Sequence, residues 1–284
     1  MSHTTTDYKS DVKITWCPGC GDFAVLNALY QALTTLDLDP KDVVVVSGIG
    51  CSGRLPIFVN SYGFHGVHGR VLPTAMGVKI GNPKLTVIAV GGDGDGLAIG
   101  GGHFPHAARR NIDITYIMLD NNIYGLTKGQ ASPTSTPQFK RERGLAGPDE
   151  RPINPVLLLI SSGCGFVART HAGNLPHLRS MFKQAIEYPG FAFVHILAGC
   201  VTYQGPSYGK QIYDRCFLLP ADHDSSDFNR ACDLARGEKF ALGVLYRREP
   251  GARPAAAGPD LAEEVGIWPS VGAPGEVTFP GDAS

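Results

Sequence analysis

The run Asp42-Val43-Val44-Val45-Val46-Ser47 constrains this chain more than any other stretch. A β-branched segment without apolar–polar alternation must be covered on both faces, as strands are in parallel sheets flanked by helices. Thr86 to Val90, Ile114 to Leu119 and Phe191 to Leu197 are further runs of this kind. Between them, helical apolar spacing marks Phe23 to Leu36 (Phe23, Leu26, Leu29, Tyr30, Leu33), and helices are expected over 97–110 and Leu175 to Tyr188. Strands alternating with helices predict an α/β fold built on a doubly wound, mostly parallel sheet. Ligands in such sheets bind beyond the carboxyl ends of the strands, and three of these runs end in glycine-rich or polar loops.

The chain has 284 residues, 43% of them hydrophobic, which fits one large α/β domain better than two small ones. A formal charge of -1 and the lack of dense Lys/Arg runs give no field for nucleic acid or anionic membranes. No apolar run reaches membrane-spanning length, and the polar segment from Met1 to Lys13 lacks a signal-peptide core, so a cytoplasmic protein is expected. Three segments are anticipated: an extended or flexible arm over 1–15, a ligand-binding domain over 16–247, and a Pro/Gly/Ala-rich tail over 248–284. Residues 129–155 read as a long loop able to cover a site.

Gly92-Asp93-Gly94-Asp95 follows one buried run, and Asp120-Asn121-Asn122 ends the next. Alone, the first motif reads as a tight strand-to-helix turn. Asp93 and Asn121, however, stand 28 positions apart, which puts them on neighbouring strand ends of one βαβ unit. A carboxylate and an amide oxygen on one rim, beside glycine amides, suit a magnesium ion shared with phosphate oxygens.

Cys17-Pro18-Gly19-Cys20 precedes a helix, while Cys51 and Cys200 lie in loops after strands. Seven cysteines, an odd number, argue against a disulfide framework. The spacing leaves zinc and iron–sulfur ligation open. Cys164, Cys216 and Cys232 lack such placement and read as inert, buried thiols.

Gly92-Asp93-Gly94 followed by Asn121-Asn122 resembles the thiamine-diphosphate fingerprint of enzymes related to transketolase and pyruvate decarboxylase. The resemblance implies Asp93 and Asn121 as magnesium ligands, with the Ile123 backbone carbonyl as the third and Asn122 as the alternative amide. A wider set is more specific. Trp16-Cys17-Pro18-Gly19-Cys20-Gly21, Gly48-Ile49-Gly50-Cys51-Ser52-Gly53-Arg54, His68-Gly69-Arg70, Gly91 to Asp95 and Asp120 to Gln130 occur in that order. Together, over residues 14–205, they resemble the β subunit of 2-oxoacid:ferredoxin oxidoreductases, in the style of the 2-oxoglutarate branch.

That resemblance implies a [4Fe–4S] cluster held by Cys17, Cys20, Cys51 and Cys200. It implies cofactor contacts from Ile49, Gly50, Cys51, Ser52, His68, Gly92, Asp93, Gly94, Asp95, Asn121, Ile123, Tyr124, Gly125 and Leu126. His68, Lys128, Arg54 and Arg70 are the candidates for catalytic or substrate-carboxylate contacts. The implied reaction is thiamine-dependent oxidative decarboxylation with coenzyme A to acyl-CoA, CO2 and reduced ferredoxin, reversible as CO2 fixation. A glutamate against the cofactor's pyrimidine must come from an α subunit, in an αβ or (αβ)2 assembly. A pyruvate-specific or other 2-oxoacid member, a non-redox thiamine-dependent component, and a zinc-bearing scaffold are the competing readings.

Overall fold

The computed structural model describes residues 2–142 and 151–249. In chain order its helices are α1 (Asp22–Thr35), α2 (Leu55–Phe58), α3 (Val71–Gly81), α4 (Asp93–Leu97), α5 (His103–Arg110), α6 (Pro137–Glu142), α7 (Pro155–Ser161), α8 (Leu175–Ile186), α9 (Tyr208–Tyr213) and α10 (Phe228–Arg236). The strands are β1 (Val43–Ser47), β2 (Tyr62–His65), β3 (Thr86–Gly92), β4 (Ile114–Asp120), β5 (Ile123–Tyr124), β6 (Gln130–Ala131), β7 (Phe166–His171), β8 (Phe191–Leu197), β9 (Cys216–Leu218) and β10 (Phe240–Arg247).

Eight strands form one sheet in the order β2-β1-β3-β4-β8-β7-β10-β9, and β5 with β6 makes a separate hairpin. From β2 through β7 every pairing is parallel; β10 runs antiparallel to β7, and β9 follows β10. The four buried runs expected from sequence are β1, β3, β4 and β8, which occupy the middle of the sheet. Alternate residues serve two separate cores. Val43 and Val45 face the core containing α1 and α8, and Val44 and Val46 face the one containing α3, α5, α7 and α10. This double coverage is the reason the Val run needs no polar alternation.

Three expectations change. The N-terminal arm is anchored rather than loose around Tyr8, which is fully buried with its hydroxyl within hydrogen-bond distance of the carbonyls of Leu33 and Leu38, at 3.1 and 2.5 Å. The helix expected over 97–110 is confined to α5, because α4 ends at Leu97 and the chain turns through 98–102, passing so close to α4 that a Cβ on Gly100 would come within 2.7 Å of the carbonyls of Asp95 and Gly96. The 129–155 stretch is not all loop, since it holds β6 and α6; residues 143–150 lie outside the described residues, as does 250–284 of the expected tail. Cys164 and Cys232 are buried as anticipated, whereas Cys216, on the edge strand β9, is only partly so.

Candidate active site

Chain order reverses at β1: β2 pairs on one side of it and β3 on the other. A crevice opens at such a point because the flanking connections depart in opposite directions. Here it is a cavity beyond the carboxyl ends of β1, β3 and β4. Its wall contains Ile49 to Ser52 after β1, His68, Gly92 to Asp95 after β3, and Asn121 with Ile123 to Thr127 after β4. Every cofactor-contact candidate named from the sequence lies in that wall.

Two glycines show why the backbone takes this course. Gly50 has φ +130, a region that side chains rarely tolerate, and it turns the chain out of β1 toward Cys51. At Gly94 a Cβ would sit 2.4 Å from the Tyr124 ring, whose hydroxyl donates to the Gly94 carbonyl at 3.2 Å.

Asp93 is buried at the start of α4. Its Oδ2 accepts the hydroxyls of Ser132 at 2.5 Å and Thr134 at 2.7 Å; among the described residues its Oδ1 accepts only the Asn121 amide, at 3.3 Å. Burial and then the Asp120 charge push its carboxyl above the ordinary carboxylate range, against the pull of those three donors. Asn121 faces the cavity, and its Oδ1 accepts the Ile123 amide at 3.1 Å. The Asn122 side chain is committed elsewhere: its Nδ2 donates to Asp120 and Thr134, and its Oδ1 accepts the Tyr208 hydroxyl. Asn121 is therefore the amide presented to the cavity.

Asp95, also in the wall, is tied to the loops around it. Its Oδ1 accepts the amides of Ile49 and Gly69, both at 2.8 Å, and lies 3.3 Å from His68 Nδ1. This carboxylate braces the two loops that carry Ile49 and His68. Burial raises its pKa, opposed by the two amides.

Cys51 lies in the cavity wall, and Cys51 and Cys200 bring their sulfurs to 3.5 and 3.9 Å from the Cβ position of Gly125. Burial, then the charges of Asp22 and Cys200, push the Cys51 thiol up to about 11 against the pull of the Arg54 charge. Cys20 is raised by burial, with Asp22 and Cys51 adding to it. All seven cysteines are unpaired. Among the described residues no three His, Cys, Asp or Glu side chains converge as ligands of a single ion. Cys51 and Cys200 thus meet beside Gly125, and Cys17 and Cys20 are near enough to Cys51 to act on it electrostatically.

Arg54 and Lys128 are not in the cavity wall. The Arg54 guanidinium donates to the Thr15 carbonyl and hydroxyl, and Lys128 occupies the β5–β6 turn with φ 79. Arg70 contacts His103 at 2.6 Å instead. Asp22, Leu119 and Thr127 line the cavity without having been singled out. Asp22 follows the Cys-x-x-Cys turn directly, but nothing in the sequence distinguishes it from an exposed first-turn helix carboxylate. Ser132 and Thr134 sit in a Ser/Thr/Pro stretch that reads as solvated loop, although both are buried.

Residues 48–196 match the family model for the thiamine pyrophosphate enzyme, C-terminal TPP binding domain. The chain is 50% identical over 251 residues to a 2-oxoacid:ferredoxin oxidoreductase subunit β of Saccharolobus solfataricus, covering 82% of each chain. It is 41% identical over 260 residues to the β subunit of 2-oxoacid:ferredoxin oxidoreductase 2 of Aeropyrum pernix, covering 87% of this chain and 84% of that one. A solved structure of 2-oxoglutarate:ferredoxin oxidoreductase from Magnetococcus marinus, with 2-oxoglutarate, coenzyme A and succinyl-CoA bound, superposes with a TM-score of 0.83 at 41% identity, over 93% of this chain and 91% of that one. The cavity at the switch point and these relatives agree: the chain belongs to the β subunits of the thiamine-diphosphate-dependent 2-oxoacid:ferredoxin oxidoreductases.

Proposed function

We propose that this chain forms the diphosphate-binding and electron-accepting half of an enzyme that oxidises 2-oxoglutarate with coenzyme A to succinyl-CoA, CO2 and reduced ferredoxin, in a compartment that keeps thiols reduced, the cytoplasm. The observation that carries this reading is the single cavity whose wall holds Asp93, Asn121 and His68 together with Cys51. Diphosphate and cluster sites then share one loop, residues 49–52. When bound, thiamine diphosphate would supply the electron sink for decarboxylation.

The residues fit the groups assigned to them. Asp93 Oδ1 is short of donors, and Asn121 Oδ1 and the Ile123 carbonyl are hard oxygens for magnesium on the same loop. Cys17, Cys20, Cys51 and Cys200 supply four thiols for a [4Fe–4S] cluster, and burial raises the thiol pKa at Cys20 and Cys51. His68 takes a cofactor or substrate contact from the cavity wall. Arg54, Arg70 and Lys128 stand outside that wall, so a role for them requires substrate reaching beyond it. The pyrimidine-side glutamate comes from an α subunit, in an αβ or (αβ)2 complex.

The choice of 2-oxoglutarate rests on relatives. Besides the Magnetococcus enzyme, the 2-oxoglutarate synthase subunit KorB of Methanocaldococcus jannaschii is 40% identical over 229 residues. A viologen- or ferredoxin-linked assay of the α–β complex across 2-oxoacids tests it. Preference for 2-oxoglutarate is expected, and equal rates with pyruvate would overturn the substrate assignment.

A further inference from the structure

Asp93 sits in a buried chain of hydrogen bonds with a direction that can be worked out donor by donor. Arg169, itself buried, donates through Nε to His195 Nδ1 at 3.2 Å. That bond makes Nδ1 the acceptor, so Nε2 carries the proton and donates to Asp120 Oδ2 at 2.9 Å. Asp120 Oδ1 receives both the backbone amide and the side-chain Nδ2 of Asn122, each at 3.0 Å. The Thr134 hydroxyl stands 2.9 Å from this oxygen and 2.7 Å from Asp93 Oδ2. A hydroxyl has one proton. With Asp120 already supplied by His195 and Asn122, that proton goes to Asp93.

Asp93 Oδ2 therefore holds two donated hydroxyls, from Thr134 and Ser132. The loop bearing them is fixed in turn: the Ser132 amide donates to the Ser135 hydroxyl at 2.8 Å, and that hydroxyl donates to the Asn122 carbonyl. One carboxylate oxygen is closed off and only Oδ1 remains for a cation. Denticity matters because Mg2+ takes short bonds in strict octahedral geometry, whereas Ca2+ is larger and readily accepts both oxygens of a carboxylate.

We infer that Ser132 and Thr134, backed by Asp120, His195 and Arg169, are positioning residues that set cation selectivity at this site, holding Asp93 to one-oxygen ligation and so favouring Mg2+ over Ca2+. The inference rests on the proposed role of Asp93 as a magnesium ligand.

The test uses the metal-stripped α–β complex with thiamine diphosphate, and measures Mg2+ and Ca2+ affinities by competition against Mn2+ followed by electron paramagnetic resonance. Ser132→Ala with Thr134→Val is expected to raise the Ca2+-to-Mg2+ affinity ratio by about tenfold or more, within the span seen when groups supporting a metal ligand are removed. Thr134→Ser, which keeps the hydroxyl, is expected to hold the native ratio. Thr134→Val alone shifts the ratio in the same direction by less, and serves if the double variant does not fold. Equal loss of affinity for both ions, with the ratio unchanged, would mean a merely structural role and overturn the inference. Failure of the native complex to bind Mn2+ would instead overturn the magnesium reading of Asp93, and this inference with it.

Discussion

Cys51 and Cys200 approach a common point beside Gly125, while Cys164 is enclosed by apolar side chains with its sulfur against the carbonyls of Phe166 and Phe191. These thiols should behave differently. In the α–β complex, Cys200→Ala is expected to abolish the visible absorbance and labile sulfide of the cluster, and Cys164→Ala to leave both intact. Unchanged iron content in Cys200→Ala would remove the cluster assignment. Residues of this kind were legible in the sequence because thiols and paired Asp/Asn motifs are rare and sit next to strand ends. Ser132 and Thr134 were not. Their hydroxyls are short and common, and only the fold reveals that they turn inward onto Asp93.

The strands in the middle of the sheet were legible for a physical reason: β1, β3, β4 and β8 are covered on both faces, so their sequences are nearly continuous apolar runs. The outer elements lack that signature. Strand β2 is exposed throughout, and β7 carries the buried Arg169, whose partners His195 and Asp120 come from distant positions. At the junction of β7 and α8, His177 shares a 2.8 Å hydrogen bond with Thr170, and burial holds the pKa of both His177 and His171 below the ordinary value. Folded-state values below the unfolded one mean that unfolding takes up protons. The stability these groups allow is present above about pH 6.5 and is lost as pH falls through the folded-state values. The urea midpoint should therefore drop on mild acidification, and His177→Gln should shrink that drop. A His177→Gln variant with the native pH slope would show that these imidazoles do not govern it.

At the scale of the molecule, the cavity wall supplies carboxylate, amide and carbonyl oxygens and a histidine, but among the described residues it contains no glutamate. The lone chain is therefore expected to show no measurable 2-oxoacid oxidation, with turnover appearing on addition of the α subunit; full activity without it would refute the shared site. Sequence patterning could announce a partner only through what the wall lacks, since the complementary surface belongs to another chain. One local detail reaches across this scale. Trp16 is one of two tryptophans; its indole nitrogen donates to the Cys51 carbonyl at 2.8 Å, and its ring packs edge-on against Phe58 at 4.9 Å. A rigid fluorophore is thereby fastened to the loop shared by the two proposed cofactor sites. The protein carries its own optical gauge of loading: its emission should dim as iron and sulfide are built in and recover on chelation, with no label attached.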